Sequence, residues 1–77
     1  MSHELTVVRH CGSLQEAEFY RSLLESEGVD VQIPDEFALG ANPGLTNAFG
    51  GVRLLVGSDD LTLAEAVLAA TDTAASR

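Results

Sequence analysis

Residues 13–33 read SLQEAEFYRSLLESEGVDVQI, and this stretch decides the fold. Ser13 and Glu16 form a capping box. The Ser13 hydroxyl can accept from the Glu16 backbone N–H, and the Glu16 carboxylate can reach back to Ser13. Leu14, Ala17, Tyr20 and Leu24 then recur at helical spacing as a core stripe, with Glu18, Ser22 and Glu25 on the solvent side. Phe19 and Leu23 lie on an adjoining stripe, about 100–140° round the helix at 3.6 residues per turn. The apolar face is therefore broader than one sheet contact needs. Gly28 stands where a left-handed C-terminal cap is expected. Residues 29–33 then alternate strictly, which places Val29, Val31 and Ile33 on one buried face of a strand.

Outward from this helix–strand unit, residues 5–10 read as a preceding strand. Leu5, Val7 and Arg9 fall on one face and Thr6, Val8 and His10 on the other. Downstream, residues 52–56 alternate again, with Val52, Leu54 and Val56 together. Gly57 and Ser58 end that strand. Ser58 reads as a helix cap, with Asp59 and Asp60 in the first turn, where the helix dipole favours acids. Leu61, Ala64 and Leu68, with Val67 beside them, carry a second helix to about Ala70, and residues 71–77 read as a flexible tail.

The order is β-α-β-β-α in one domain over residues 1–70. A β-α-β crossover is right-handed in nearly all proteins, and the third strand returns antiparallel between the first two. The expectation is an α+β, ferredoxin-like fold without its last strand. It has a three-stranded sheet in the order 1-3-2 and two helices on one face. The absent strand would flank the first one, so that edge is open to strand addition.

Composition narrows the function. The chain has 77 residues, 4 arginines, no lysine and 12 acids, a formal charge of −8. Nucleic-acid binding needs several cationic contacts to release counterions, and anionic membranes make the same demand. Neither partner is expected. Cys11 is the single cysteine, and one Cys with two His does not make a structural zinc set. No cofactor or metal is expected. A chain this short buries only about 60% of its unfolded surface, so self-association, as a homodimer, is the expected supplement to its core. The segment MSHELTVVRH lacks the basic and apolar regions of a signal peptide, and no apolar run approaches membrane length. The expected location is the cytoplasm.

Residues 34–51 (PDEFALGANPGLTNAFGG) show no helical or strand period, and read as a long loop between the second and third strands. Loops of this length are commonly functional. Asp35, Glu36, Phe37, Leu39, Asn42 and Phe49 are therefore candidate ligand or partner contacts. Phe19, Leu23 and Val8 are candidate oligomer contacts. His10-Cys11 is a weaker pair, since neighbours on a strand point to opposite faces. Asp59-Asp60 already serves a helix start. No Ser/His/Asp, Cys/His or metal-ligand spacing suggests an enzyme.

The pattern SLQEAEFYRSLLESEGVDVQIPDE, a variable loop, then GVRLLVGSDDLTLAEAVL resembles a small bacterial family of unknown function described as putative prokaryotic signal-transducing proteins. The matching positions are Glu16, Ala17 and Glu18; Leu24, Glu27, Gly28 and Val29; Asp35; and Val52, Val56, Asp60 and Ala64, across roughly residues 5–70. The resemblance implies a ferredoxin-like fold related to PII-like regulators. Those carry a long loop between their second and third strands and bind effectors at subunit clefts. The basic residues with which such proteins hold nucleotide phosphates are missing, so that role passes to no residue. The expectation is a non-enzymatic signalling protein that acts by protein interaction as an oligomer. The alternative is an effector sensor that binds near residues 34–51 or at a subunit cleft.

Overall fold

A computed structural model describes residues 4–42 and 51–75. The elements are β1 (Leu5–Cys11), α1 (Leu14–Ser26), β2 (Val31–Gln32), α2 (Glu36–Ala41), β3 (Val52–Gly57), a 3-10 turn (Ser58–Asp60) and α3 (Leu61–Ala75). The sheet order is β1-β3-β2, with both pairings antiparallel. This is the expected α+β, ferredoxin-like arrangement.

The start of α1 uses the predicted residues with one change. Ser13 Oγ accepts from the Glu16 N–H at 3.1 Å, but Glu16 Oε1 accepts from the Gly12 N–H at 2.8 Å rather than from that of Ser13. At the other end, Gly28 has φ +85. Its N–H donates to the Glu25 carbonyl, and the Val29 N–H donates to that of Leu24, both at 3.0 Å. This pair of bonds is the Schellman closure. Leu24 and Val29 are both buried, which supplies its apolar contact.

β2 pairs over two residues, fewer than the alternation of 29–33 suggests, although Val29, Val31 and Ile33 are all buried as predicted. Backbone groups at both ends are engaged elsewhere. The Val29 N–H closes α1, and the Ile33 carbonyl accepts from the Glu36 N–H at 3.1 Å.

Three departures from the sequence reading matter. First, β1 carries an irregularity between Val7 and Arg9. Val7 pairs with Leu55 and Arg9 with Leu54, so Val8 is an extra residue. Such a bulge resets the alternation. Arg9 and Cys11 therefore join Thr6 opposite the buried row Val52, Leu54 and Val56, while Leu5, Val7 and His10 share the other face. Second, residues 34–51 are not one structureless loop, because Glu36–Ala41 form α2. Third, α3 continues to Ala75, where a tail was expected from residue 71.

Among the described residues twelve apolar side chains form the core, with Leu24, Leu39, Leu54 and Leu68 the largest of those almost wholly enclosed. The row Val52, Leu54 and Val56 points at α1 and α3. At the N-terminal end of β3, Gly51 has φ +113, and a Cβ there would come within 3.0 Å of the Cys11 carbonyl oxygen. Only glycine fits that junction without a shift.

Candidate functional site

The helices α1 and α3 share one face of the sheet, and the opposite face has no element over it among the described residues. Leu5 and Val7 are 52% and 39% exposed there. Leu55, half-buried, stands opposite Val7 in the ladder, and His10 stands opposite Arg53.

Beside this face, α2 is pinned by two arginine forks. Arg53 Nη2 donates to Asp35 Oδ1 at 3.1 Å and Arg53 Nε to Oδ2 at 3.2 Å. Arg21 reaches across from α1 to Glu36, Nη1 to Oε1 at 3.2 Å and Nη2 to Oε2 at 3.1 Å. The Glu36 carboxylate raises the Arg21 pKa. Two-point contacts of this kind fix orientation as well as charge. Asp35 and Glu36, read from sequence as ligand contacts, thus have their carboxylates occupied by the protein's own cations.

The other candidates separate. Leu39 is 1% exposed and belongs to the core, so it is not a surface contact. A six-residue helix has no stability of its own, and the burial of Leu39 together with the two forks holds it in place. Phe37, two residues earlier, is 92% exposed. Asn42 is exposed at the helix end, its N–H donating to the Ala38 carbonyl at 2.9 Å. Phe49 lies outside the described residues. Of the candidate oligomer contacts, Phe19 is 58% exposed and Leu23 half-buried, whereas Val8 packs against the core.

Sequence reading missed the arrangement beneath the helices. Arg9, turned inward by the bulge, lays its guanidinium 5.0 Å from the Tyr20 ring centroid. It also donates from both terminal nitrogens to Asp72 of α3. The ring of Phe19 meets that of Tyr20 edge-on at 5.3 Å. Strand and both helices are tied at one point. The hydrogen bonds from Arg9, with its charge, hold the Asp72 carboxyl below its ordinary value, and Asp72 holds Arg9 well above its own. Three of the four arginines are thereby committed to carboxylates. Nothing in the sequence pairs residues 9 and 72, 63 positions apart.

Cys11 is 2% exposed, and burial pushes its thiol up to about 11. It is a protonated core residue at neutral pH, with His10 on the opposite face. No cluster of three or more His, Cys, Asp or Glu suited to a metal occurs among the described residues. No helix among them is long and apolar enough to cross a membrane. A shallow cavity of about 230 Å³ opens at the C-terminal end of β3, where Glu4, Asp30, Asp59 and Asp60 surround Leu5 and Gln32. This is the end of β3 away from Asp35 and α2, which hold the described part of the expected ligand segment.

No curated protein and no solved structure matches the chain. A family model does match, over residues 6–72, nearly the whole length. The chain belongs to the family of unknown function described as "Putative prokaryotic signal transducing protein".

Proposed function

We propose that this chain is a non-enzymatic regulatory module of the cytoplasm that works by protein contact, and that it does so as an oligomer. The observation that carries this reading is the sheet face that no element covers among the described residues, where Leu5, Val7 and Leu55 form an apolar row on a small domain. Exposed apolar groups that lie together on a soluble protein mark contact sites. The charged groups around them support the same view. Arg9, Arg21 and Arg53 are spent on internal ion pairs that hold the scaffold, and the Cys11 thiol is enclosed and protonated. The family description is consistent with a role in signalling.

A native mass spectrum of the purified protein tests this. The expected result is a bare multiple of the chain mass. A small adduct on each chain would instead support the sensor reading, with an effector held at a subunit cleft or near residues 34–51. A bare monomer at tens of micromolar would remove the oligomer from the account.

A further inference from the structure

We infer that two copies of this chain join along the outer edge of β1 and the flank of α3 that overhangs it. The inference rests on the oligomeric reading above; its surface is distinct from the open sheet face, which a dimer of this kind leaves exposed for protein contact. Three observations converge on that place.

The first is the edge. β1 is the longest strand and lies outermost in the order β1-β3-β2. Among the described residues it pairs with β3 alone, which leaves its outer backbone groups without a strand partner. Such edges are commonly guarded by lysine, proline or an exposed charge. β1 (LTVVRHC) has neither lysine nor proline, and its arginine is drawn under the helices to Asp72. The bulge at Val8 is the guard that remains.

The second is the helix above that edge. α3 packs over β1 and β3, and α1 over β2 and β3. Asp72 reaches inward to Arg9, whose guanidinium lies on Tyr20 of α1, so the Asp72 side of α3 is the side toward α1. Leu63 is nine residues earlier, which at 100° per residue puts it half a turn away, on the flank facing past β1. Leu63, Ala66, Val67 and Ala70 share that flank within about 100°. Leu63 is 46% exposed, Ala66 and Ala70 are exposed, and Val67 is half-buried. The helix therefore has a second apolar stripe besides its core stripe. Its alanines permit close approach by another helix.

The third is charge, and it identifies the occupant as a second copy. A chain of −8 repels itself over most of its surface. β1 contains no acid. The two acids of α3, Glu65 and Asp72, lie on the far side of the helix from the Leu63 stripe. From Thr6 to Cys11 on the edge and from Leu63 to Ala70 on this flank of the helix the strip carries no acid, the carboxylates of Glu4, Asp59 and Asp60 lying beyond its Leu5 end, and two acidic chains can meet there. A twofold axis normal to the sheet would pair β1 antiparallel with its copy and set the two α3 helices flank to flank. Every contact would then occur twice, as in any isologous interface. The result is one six-stranded sheet with four long helices on one face.

Sedimentation velocity over a dilution series tests this with Leu63→Glu and Phe19→Glu. Both positions are about half exposed, so circular dichroism should show both variants folded. The expected result is a wild-type dimer whose dissociation constant rises at least about tenfold in Leu63→Glu and stays within about twofold in Phe19→Glu. An oligomer unaffected by Leu63→Glu would overturn this interface while leaving the oligomeric reading in place. Loss of the dimer in Phe19→Glu alone would move the interface to the other side of α1. A wild-type monomer at all concentrations would end both.

Discussion

Replacing Leu39 by Ala tests whether residues 36–41 belong to the core or to a dispensable loop. Leu39 is 1% exposed and among the largest fully buried side chains. Removing three buried carbons costs their transfer free energy and leaves a cavity, together about 2–5 kcal/mol for a Leu→Ala change in a core. A domain of this length at roughly 0.05–0.15 kcal/mol per residue has about 4–12 kcal/mol in total. The variant should therefore lose at least about a sixth of its stability, and about 40% at the middle of both ranges, and its Tm should fall by about 8–40 °C. Phe37→Ala is the matched control on the same helix. With its side chain 92% exposed, that change should stay within about 0.5 kcal/mol. Urea denaturation followed by far-UV circular dichroism reads both. A loss below about 1 kcal/mol for Leu39→Ala would show that α2 is not held as described. Equal losses for both variants would mean that the helix has another orientation. By the same reasoning, deleting residues 38–48 removes a core leucine and should unfold the domain, whereas an uninterrupted surface loop would tolerate the deletion.

Three further outcomes follow from local chemistry. Gly28→Ala should cost about 1–2 kcal/mol, the penalty of a left-handed conformation for an L residue; no atom lies within 4 Å of the added Cβ, so a much larger loss in chemical denaturation would contradict this backbone origin. The Cys11 thiol should react with a maleimide only as fast as the protein opens, and labelling in native buffer at the rate of a free thiol would disprove its enclosure; because its folded-state pKa is raised to about 11, its contribution to stability is intact below the ordinary thiol value and falls as the pH rises through that of the folded state. Asp72 is held below its ordinary value by Arg9, so the Arg9–Asp72 contribution is complete above the unfolded value of about 4 and lost as the pH falls through the folded one; Asp72→Asn should flatten that acid limb in thermal melts, and an unchanged limb would show that the pair does not hold the end of α3.

Much of the scaffold was legible because each signal was local. The Ser13–Glu16 cap, the stripe from Leu14 to Leu24, Gly28 and the alternation of residues 52–56 all appear in the structure where their chemistry places them. The strand order followed from placing both helices on one face of the sheet. What escaped was non-local or too short to be periodic. α2 spans fewer than two turns and includes Gly40, so no spacing could reveal it. Its anchors come from Arg21 and Arg53, elsewhere in the chain. Val7 and Val8 suit either face equally, so the bulge left no mark in the sequence, yet it sends Arg9 under the helices. The same arginine explains why α3 outlasts its predicted end, since Asp72 gives the last turns a tertiary contact. Of the candidate site, Phe19 and Phe37 are exposed. Leu39 and Val8 were apolar for the core's sake, and Asp35 and Glu36 were acidic for the arginines' sake.

β1 is the shared edge of the inferred dimer, and amide hydrogen exchange of peptides covering Leu5–Cys11 reads that edge directly. Exchange would be followed at two protein concentrations, one well above and one well below the dissociation constant found by sedimentation. The prediction is slower exchange in β1 at the higher concentration, with peptides from α1 unchanged. Identical β1 exchange at both concentrations, in a protein that sediments as a dimer at one and a monomer at the other, would place the interface elsewhere and contradict the account.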